Sequence, residues 1–280
     1  MVESGIGGHV SGRCEASSRD VDRRGPAAGR FIQNRYFIQN RVLTTEAMFT
    51  GIIQSIGRIE RLEPRGGDVR VAIDAGKLRL DRVARGDSVA VNGVCLTAVE
   101  LSARGFAADV SRETLSLTTL GDLVPGSPVN LETALTLATP LGGHLVSGHV
   151  DGVGTVIERR EDARSWRLRI RAPVELARYI AAKGSICVDG TSLTVNRVDG
   201  DCFELNIVPH TLRETIIGGY QTGTRVNLEV DLIARYLERL LLGSAADPGL
   251  DAGAQGGADR GASRLTTAFL AEHGFVRPAD

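Results

Sequence analysis

Short segments in which hydrophobic and polar positions alternate fill the middle of the 280-residue chain. Val69–Ile73 and Trp166–Arg171 place apolar side chains at every second position, which is typical of half-buried strands. Ser88–Val91 and Ser185–Val188 are similar, and glycine, proline and aspartate separate the segments. Several short strands at this spacing predict a small closed barrel in each half.

Two dipeptides predict where strands reverse direction. Asn92-Gly93 and Asp189-Gly190 each follow a predicted strand. Asn-Gly and Asp-Gly are strong hairpin signals, because the turn requires a positive φ at both central residues.

Helices are predicted at three places. One lies between strands in each half, over Gly76–Ala84 and over Pro173–Ala182, where the proline suits a first turn. A third covers Leu232–Leu242. Its apolar side chains share one face at three- and four-residue spacing: Ile233, Tyr236, Leu237, Leu240 and Leu241. A helix this short is marginal alone, so it packs either on its own barrel or against copies of itself.

The whole pattern repeats after 97 residues. Phe106–Glu132 recurs as Phe203–Glu229, and Asn92–Thr97 recurs as Asp189–Thr194. Solenoid units are shorter, about 20–50 residues, so this repeat indicates a duplicated domain. Two similar domains offer two similar pockets, which suits a reaction that needs two similar ligands.

Charge and cysteine content narrow the class of protein. The chain has 33 basic and 34 acidic residues, so its charge does not favour nucleic acid or an anionic membrane. No apolar run approaches the roughly 20 residues of a membrane span. The four cysteines show no CxxC spacing, which predicts free thiols in the cytoplasm.

Both ends differ from the middle. Residues 1–47 are rich in Gly, Arg and Ser without hydrophobic periodicity, and Met48 is the expected first residue of the working protein. No apolar stretch suggests a secretory signal; the arginines allow a transit peptide, but five acidic residues count against one. Residues 243–280 are predicted to be a disordered tail, because Gly, Ala and Asp dominate their first part. A chain that begins at Met48 is expected to be at least as active as the full chain.

Common catalytic motifs are missing from the sequence. It has no P-loop, GxSxG or HExxH, and Gly142–His149 lacks the GxGxxG spacing of a dinucleotide loop. His144 and His149 are five residues apart, which suits neither face of a helix or strand, so a metal pair is not expected. One of them is a candidate proton carrier, although a lone histidine is more often structural.

Polar residues after the hairpins are candidate ligand contacts. Thr97 and Thr194 are placed to bind a polyhydroxy ligand at a barrel mouth, or are simply good strand residues. Cys95 aligns with Ser192; it is either a nucleophile or a small buried residue, and no nearby cation would lower its pKa. Lys183 by default is a solvated surface lysine.

Six motifs, in register through both halves, together resemble riboflavin synthase of the alpha-chain type. They are Met48–Ile52, Asn92–Thr97, Glu113–Leu115, Gly142–His149, Asp189–Thr194 and Val226–Asp231. The likeness covers about Met48 to Leu242, and six motifs in order are far more specific than one.

The resemblance implies an all-β protein, with two similar six-stranded antiparallel Greek-key barrels and a C-terminal helix that gathers a homotrimer. The domains would be 48–144 for the first lumazine-binding barrel, 145–231 for the second, and 232–242 for the oligomerisation helix. The family converts two molecules of 6,7-dimethyl-8-ribityllumazine into riboflavin and 5-amino-6-(ribitylamino)uracil without metal or cofactor. Lumazine synthase would be a pathway partner, and the active site would form between the first barrel of one subunit and the second of a neighbour.

The resemblance also assigns site residues. A first pocket would use Gly51, Ile52, Ile53, Cys95, Leu96, Thr97, Asp109, Val110, Ser111, Arg112, Glu113 and Thr114. A second would use Gly148, His149, Val150, Lys183, Ser192, Leu193, Thr194, Asn206, Ile207, Val208, Pro209, His210 and Thr211. The positions that match the family's catalytic residues are Phe49, Ser88, Cys95, His149, Ser192 and Asp231.

A mechanism follows as a hypothesis. The protein would hold two planar rings against each other, His149 would help move a methyl proton, and Cys95 or Ser192 would polarise or add to the neighbouring ring. Two alternatives stay open: a non-catalytic lumazine- or flavin-binding protein of the same fold, and a carbohydrate-binding double barrel.

Overall fold

The computed structural model describes residues 47–243, and the predictions for residues 1–46 and 244–280 lie outside this range. Within it, twelve strands form two closed antiparallel barrels, as predicted. The first barrel contains β1 Ser55–Arg65, β2 Asp68–Asp74, β3 Ser88–Val91, β4 Val94–Leu101, β5 Gly105–Val110 and β6 Pro128–Thr133. The second contains β7 Gly152–Asp162, β8 Ser165–Arg171, β9 Ser185–Val188, β10 Thr191–Asp199, β11 Cys202–Ile207 and β12 Arg225–Val230.

The two barrels have the same strand order, β1-β2-β5-β4-β3-β6 and its equivalent in β7 to β12. Irregular pairing follows Ile59 in β1 and Val156 in β7, which are 97 residues apart. Each barrel has its own apolar core, and core residues such as Ile73 and Ile170 repeat at the same offset. The 97-residue repeat is therefore a repeat of three-dimensional structure.

The predicted hairpin turns are confirmed and also join the barrels. Asn92, Gly93, Asp189 and Gly190 all have positive φ, between 43° and 79°. The two turns touch, since a Cβ placed on Gly93 would lie 2.7 Å from the Gly190 nitrogen. Glycine is thus required here for both its backbone conformation and its lack of a side chain.

Two of the predicted helices are wrong. Gly76–Ala84 contains only a 3-10 turn at Leu80–Arg82, and Pro173–Ala182 contains only one at Val174–Tyr179. Gly76 has a φ of +59°, which an α-helix cannot contain.

Short α-helices instead follow β5 and β11. They are α1 Arg112–Leu117 and α2 Pro209–Glu214. The Ser111 side chain caps α1 by accepting a hydrogen bond from the Thr114 N–H at 3.1 Å, and Pro209 starts α2.

The C-terminal helix is confirmed as α3 Leu232–Gly243. Its polar side contacts the second barrel and the loop before it. Arg235 forms an ion pair with Asp151, and Glu238 accepts a hydrogen bond from Tyr179 and forms an ion pair with Arg178. Its apolar side remains exposed. No helix within residues 47–243 is long and apolar enough to cross a membrane.

Candidate functional site

Two loops that precede the barrels cross between them. Phe49 and Val146, 97 residues apart, form an antiparallel bridge with each other, with N–H to carbonyl distances of 2.7 and 3.1 Å. Phe49 is fully buried there, in a small cluster with Ala90, Val146 and Cys187. The loops that continue from this bridge diverge towards opposite barrels.

The loop from Phe49 lies on the second barrel. The Ser192 N–H donates to the Gly51 carbonyl oxygen at 2.8 Å, and a Cβ on Gly51 would lie 2.6 Å from the Ser192 Cβ. Ile53 also reaches across, with its Cδ1 3.5 Å from the Cβ position of Gly190. Only glycine permits this approach at position 51, where φ is +73°.

The loop from Val146 lies on the first barrel in the same way. The Cys95 N–H donates to the Gly148 carbonyl oxygen at 2.8 Å, and a Cβ on Gly148 would lie 2.7 Å from the Cys95 Cβ. The predicted pockets grouped Gly51–Ile53 with Cys95, and Gly148–Val150 with Ser192, whereas the structure places the loops the other way round. Gly51–Ile53 belongs with Ser192, and Gly148–Val150 belongs with Cys95, because backbone hydrogen bonds fix each loop to the opposite barrel.

A buried glutamate holds each loop. Glu132, at the end of β6, accepts the N–H groups of Thr50 and Gly51 at 2.7 and 2.9 Å and the Thr50 hydroxyl at 2.6 Å. Glu229, at the end of β12, does the same for Ser147 and Gly148, at 2.6, 3.0 and 2.8 Å. Burial raises the pKa of both carboxyls, and the hydrogen bonds from the loops oppose that rise.

The second barrel contains a histidine–serine pair that the sequence prediction missed. Nδ1 of His144 lies 2.7 Å from Oγ of Ser192. Within residues 47–243 the His144 Nε2 is buried and has no hydrogen-bond partner. An unsatisfied buried nitrogen is costly, and such groups are typical of sites that act on a bound molecule.

The surroundings of His144 favour the neutral form of its ring. Burial lowers its pKa below the ordinary 6.5, and the Asp231 carboxylate partly opposes this. Ser192, Asp231 and His149 were predicted as catalytic, and His144 was a further candidate proton carrier. His149 is exposed, and its N–H donates to the Ser147 hydroxyl at 3.3 Å.

The first barrel has no histidine at the equivalent place. Ala47, which lies 97 residues before His144, packs in the same cluster as Cys95. Burial raises the pKa of the Cys95 thiol, a hydrogen bond from Ser88 opposes this, and Glu229 raises it further. The predicted residues Ser88 and Cys95 are thus neighbours, and burial disfavours the thiolate form of Cys95.

The remaining predicted binding segments, 109–114 and 206–211, run from the ends of β5 and β11 into the helices α1 and α2. Asp109 is the next-to-last residue of β5, and Asn206 has the same place in β11. Both Asp109 carboxylate oxygens accept hydrogen bonds from Arg70, at 2.7 and 2.8 Å, and these lower the pKa of Asp109.

Thr97, Thr194 and Lys183 have exposed side chains. Lys183 adopts a φ of +68°, whereas its equivalent in the first barrel is Gly86. Strained backbone of this kind often accompanies functional residues. Among the described residues, no three His, Cys, Asp or Glu side chains cluster in a way that could hold a metal ion.

Comparison with known proteins places this geometry in context. A family model described as the lumazine binding domain matches residues 50–134 and again residues 147–231. The chain is 50% identical over 195 residues to a riboflavin synthase of Photobacterium phosphoreum, covering 70% of this chain and 89% of that protein. It is 43% identical over 228 residues to a riboflavin synthase of Actinobacillus pleuropneumoniae, covering 81% of this chain and 100% of that protein.

Solved structures give the same likeness at lower identity. LumP complexed with riboflavin shares 28% identity with a TM-score of 0.61, covering 65% of this chain and 98% of that chain. LumP complexed with 6,7-dimethyl-8-(1'-D-ribityl) lumazine shares 27% with a TM-score of 0.59, over the same proportions.

Proposed function

The chain belongs to the riboflavin synthase family, with two lumazine binding domains, and we propose that it joins two identical substrate molecules in unlike pockets. The reaction converts two 6,7-dimethyl-8-ribityllumazine molecules into riboflavin and 5-amino-6-(ribitylamino)uracil by moving a four-carbon unit. The observation that carries this proposal is the inequality of two otherwise equivalent sites. Ser192 has His144 as a hydrogen-bond partner, whereas the equivalent positions in the first barrel are Cys95 and Ala47.

The crossed loops support binding of one ring at each barrel. In each pocket a loop glycine closes over the residue after the hairpin, Gly51 over Ser192 and Gly148 over Cys95. Exposed hydroxyls at Thr97 and Thr194, together with main-chain groups, would hold the ribityl chain and the pyrimidine edge. Asp109 and Asn206 extend the two pockets with different hydrogen-bonding capacity, since a carboxylate only accepts whereas an amide also donates.

The polar pair in the second barrel would supply the proton chemistry. With its proton on Nε2, neutral His144 accepts a hydrogen bond from the Ser192 hydroxyl. Ser192, or a water that it holds, would then add to or polarise the ring, and its proton would pass to His144. General base catalysis of this kind contributes about 10²–10⁴-fold.

The reaction also needs loss of a proton from the substrate's 7-methyl group, and the ring delocalises the carbanion that results. His149 is the candidate for this step at the first pocket, because its loop is fixed next to Cys95. Most of the acceleration would come from holding two reactive rings in the right orientation, which can supply roughly 7–11 kcal/mol.

A homotrimer would bring the two kinds of pocket together. The apolar side of α3 carries Ile233, Tyr236 and Leu240, each more than 60% exposed. Ion pairs on the opposite side fix the helix to its own barrel, so this apolar row faces away from the chain. Burying such a row against copies of itself would bring the first barrel of one subunit beside the second barrel of a neighbour.

The setting that fits this chemistry is the cytoplasm, with lumazine synthase as supplier of the substrate. Cys95, Cys187 and Cys202 are free thiols, which is usual in a reducing compartment.

The direct test is to incubate the purified chain with 6,7-dimethyl-8-ribityllumazine alone and follow riboflavin by absorbance. One riboflavin per two lumazines consumed, with no added metal or nucleotide, would support the reaction. Tight binding with altered lumazine fluorescence but no riboflavin would contradict it and favour a non-catalytic lumazine-binding protein; LumP, a structural neighbour, has been solved in complex with this lumazine.

A further inference from the structure

Each of the two buried glutamates belongs to one barrel but holds a loop that lies against the other barrel. Glu132 belongs to the first barrel, yet the loop that it holds lies against Ser192 of the second. Glu229 belongs to the second barrel, yet its loop lies against Cys95 of the first. Neither carboxylate is itself in either pocket, since each is 3% exposed beneath its loop.

The contacts require a carboxylate. Both oxygens of Glu132 accept hydrogen bonds, with Thr50 donating to one and Gly51 to the other. Glutamine would place an NH₂ group against one of these N–H donors, so at least one contact would be lost and the groups would repel. The same holds for Glu229 with Ser147 and Gly148.

We propose that Glu132 and Glu229 are positioning residues that act crosswise, Glu132 setting the geometry of the second pocket and Glu229 that of the first. Backbone hydrogen bonds such as Ser192 to Gly51 and Cys95 to Gly148 also hold the loops. Each buried carboxylate adds three further hydrogen bonds to its loop, and these fix where Gly51 and Gly148 lie. The consequence for catalysis rests on the proposed function, whereas the consequence for the loops does not.

A thiol under each loop reports its position. Cys95 lies beneath Gly148, so its alkylation by iodoacetamide, measured by peptide mass spectrometry, reports opening of the Glu229 loop. In a Ser192→Cys background, the introduced thiol lies beneath Gly51 and reports the Glu132 loop. Neither reading depends on turnover.

The expected pattern is a reciprocal one. Glu229→Gln should raise Cys95 alkylation about tenfold or more, since charge-assisted hydrogen bonds are lost, and should leave the thiol at position 192 within about twofold. Glu132→Gln should do the reverse. Equal acceleration of both thiols by either variant would overturn the proposal, because it would indicate general destabilisation.

A second pair of variants separates loop release from charge. The Glu229 carboxylate itself raises the pKa of Cys95, so its removal alone would speed alkylation. Ser147→Ala keeps that charge and removes one donor to it, and Thr50→Val does the same for Glu132. In these milder variants the alkylation rate of the thiol under the affected loop should rise about threefold, with the same crossed pattern. They therefore test the proposal even if the glutamine variants fail to fold. An unchanged Cys95 rate in Ser147→Ala would reject a positioning role for Glu229.

Failure of the proposed function is detected by a different measurement, the formation of riboflavin. If wild-type protein gives no riboflavin but the crossed alkylation pattern appears, the loops are positioned as proposed and the reaction is wrong. If turnover is normal in both glutamine variants while the thiols are exposed, loop position does not govern the reaction.

Discussion

The first and second barrels share strand order, bulges and turn conformations, yet they differ at several of the candidate site residues. At the second barrel His144 forms a pair with Ser192. The equivalent residues at the first barrel are Ala47 and Cys95. Lys183 replaces Gly86. The comparison teaches that duplication preserved the frame while the polar groups diverged, as a reaction between a donor and an acceptor of the same substance requires.

The largest effect is expected from removing the histidine that pairs with Ser192, because the equivalent position in the first barrel is Ala47. His144→Ala should lower kcat by about 10²-fold or more, with Ser192→Ala similar and the double variant little worse, because the two side chains act as a unit. Steady-state rates of the three variants, with melting curves to confirm folding, check this. A His144→Ala rate equal to wild type would remove the pair from the mechanism.

The matched control is Cys95→Ala. Because burial raises the pKa of this thiol, its less nucleophilic protonated form is favoured, so we expect kcat to fall less than about tenfold.

The acid side of the pH–rate profile tests the role of His144 in a second way. His144 accepts a proton only when neutral, and its pKa is lowered from 6.5, so the rate should fall at a pH below that ordinary value.

A second difference between the barrels should appear in stability. Burial raises the pKa of Asp189 to about 7, although the Tyr220 hydroxyl and the Asn227 N–H oppose this; the equivalent residue in the first barrel is Asn92. The folded-state pKa exceeds the unfolded value of 3.8, so the stabilisation is complete below pH 3.8 and is lost as the pH rises through about 7.

Asp189→Asn should remove this pH dependence. Relative to wild type, its free energy of unfolding should rise on the order of 1–3 kcal/mol between acid and neutral pH. Urea unfolding across this range measures it, with Asn92→Asp as the reverse control that should introduce the dependence. Parallel curves for wild type and Asp189→Asn would show that Asp189 is not the group responsible.

The smallest expected effect concerns the strained lysine. Lys183→Gly should raise the free energy of unfolding by up to about 1 kcal/mol, because glycine accepts positive φ without strain. It should also weaken substrate binding several-fold if the side chain contacts substrate. Thermal melts test the stability prediction, and KM tests the binding prediction. An unchanged KM would leave Lys183 as a surface residue.

Much of the fold follows from the sequence because its signals are local. Alternating segments and the turns at Asn92-Gly93 and Asp189-Gly190 predict strands and hairpins, and the repeat carries each prediction to the other half. The short helices α1 and α2 escaped prediction, since six residues carry too little periodicity. Gly76 and Pro173 lie in segments that only resemble helices.

The candidate site was harder to predict from the sequence than the fold, for a physical reason. The contact between Gly51 and Ser192 spans both domains, and no local pattern encodes it. His144 and His149 were weighed as proton carriers without information on burial, and the contact between His144 and Ser192 could not be read from the sequence. The one available signal was the offset itself, because Ala47 and His144 precede Phe49 and Val146 by corresponding distances.

The most direct test of two unlike, cooperating pockets is complementation between inactive subunits. Thr97→Trp should block the first pocket and Thr194→Trp the second, and both positions are exposed, so the fold should tolerate them. Each variant alone should be inactive, while subunits unfolded together and refolded as a mixture should recover about a quarter of the wild-type rate, because neighbouring subunits supply one intact pocket each. Activity in either variant alone, or no recovery in the mixture, would contradict the account.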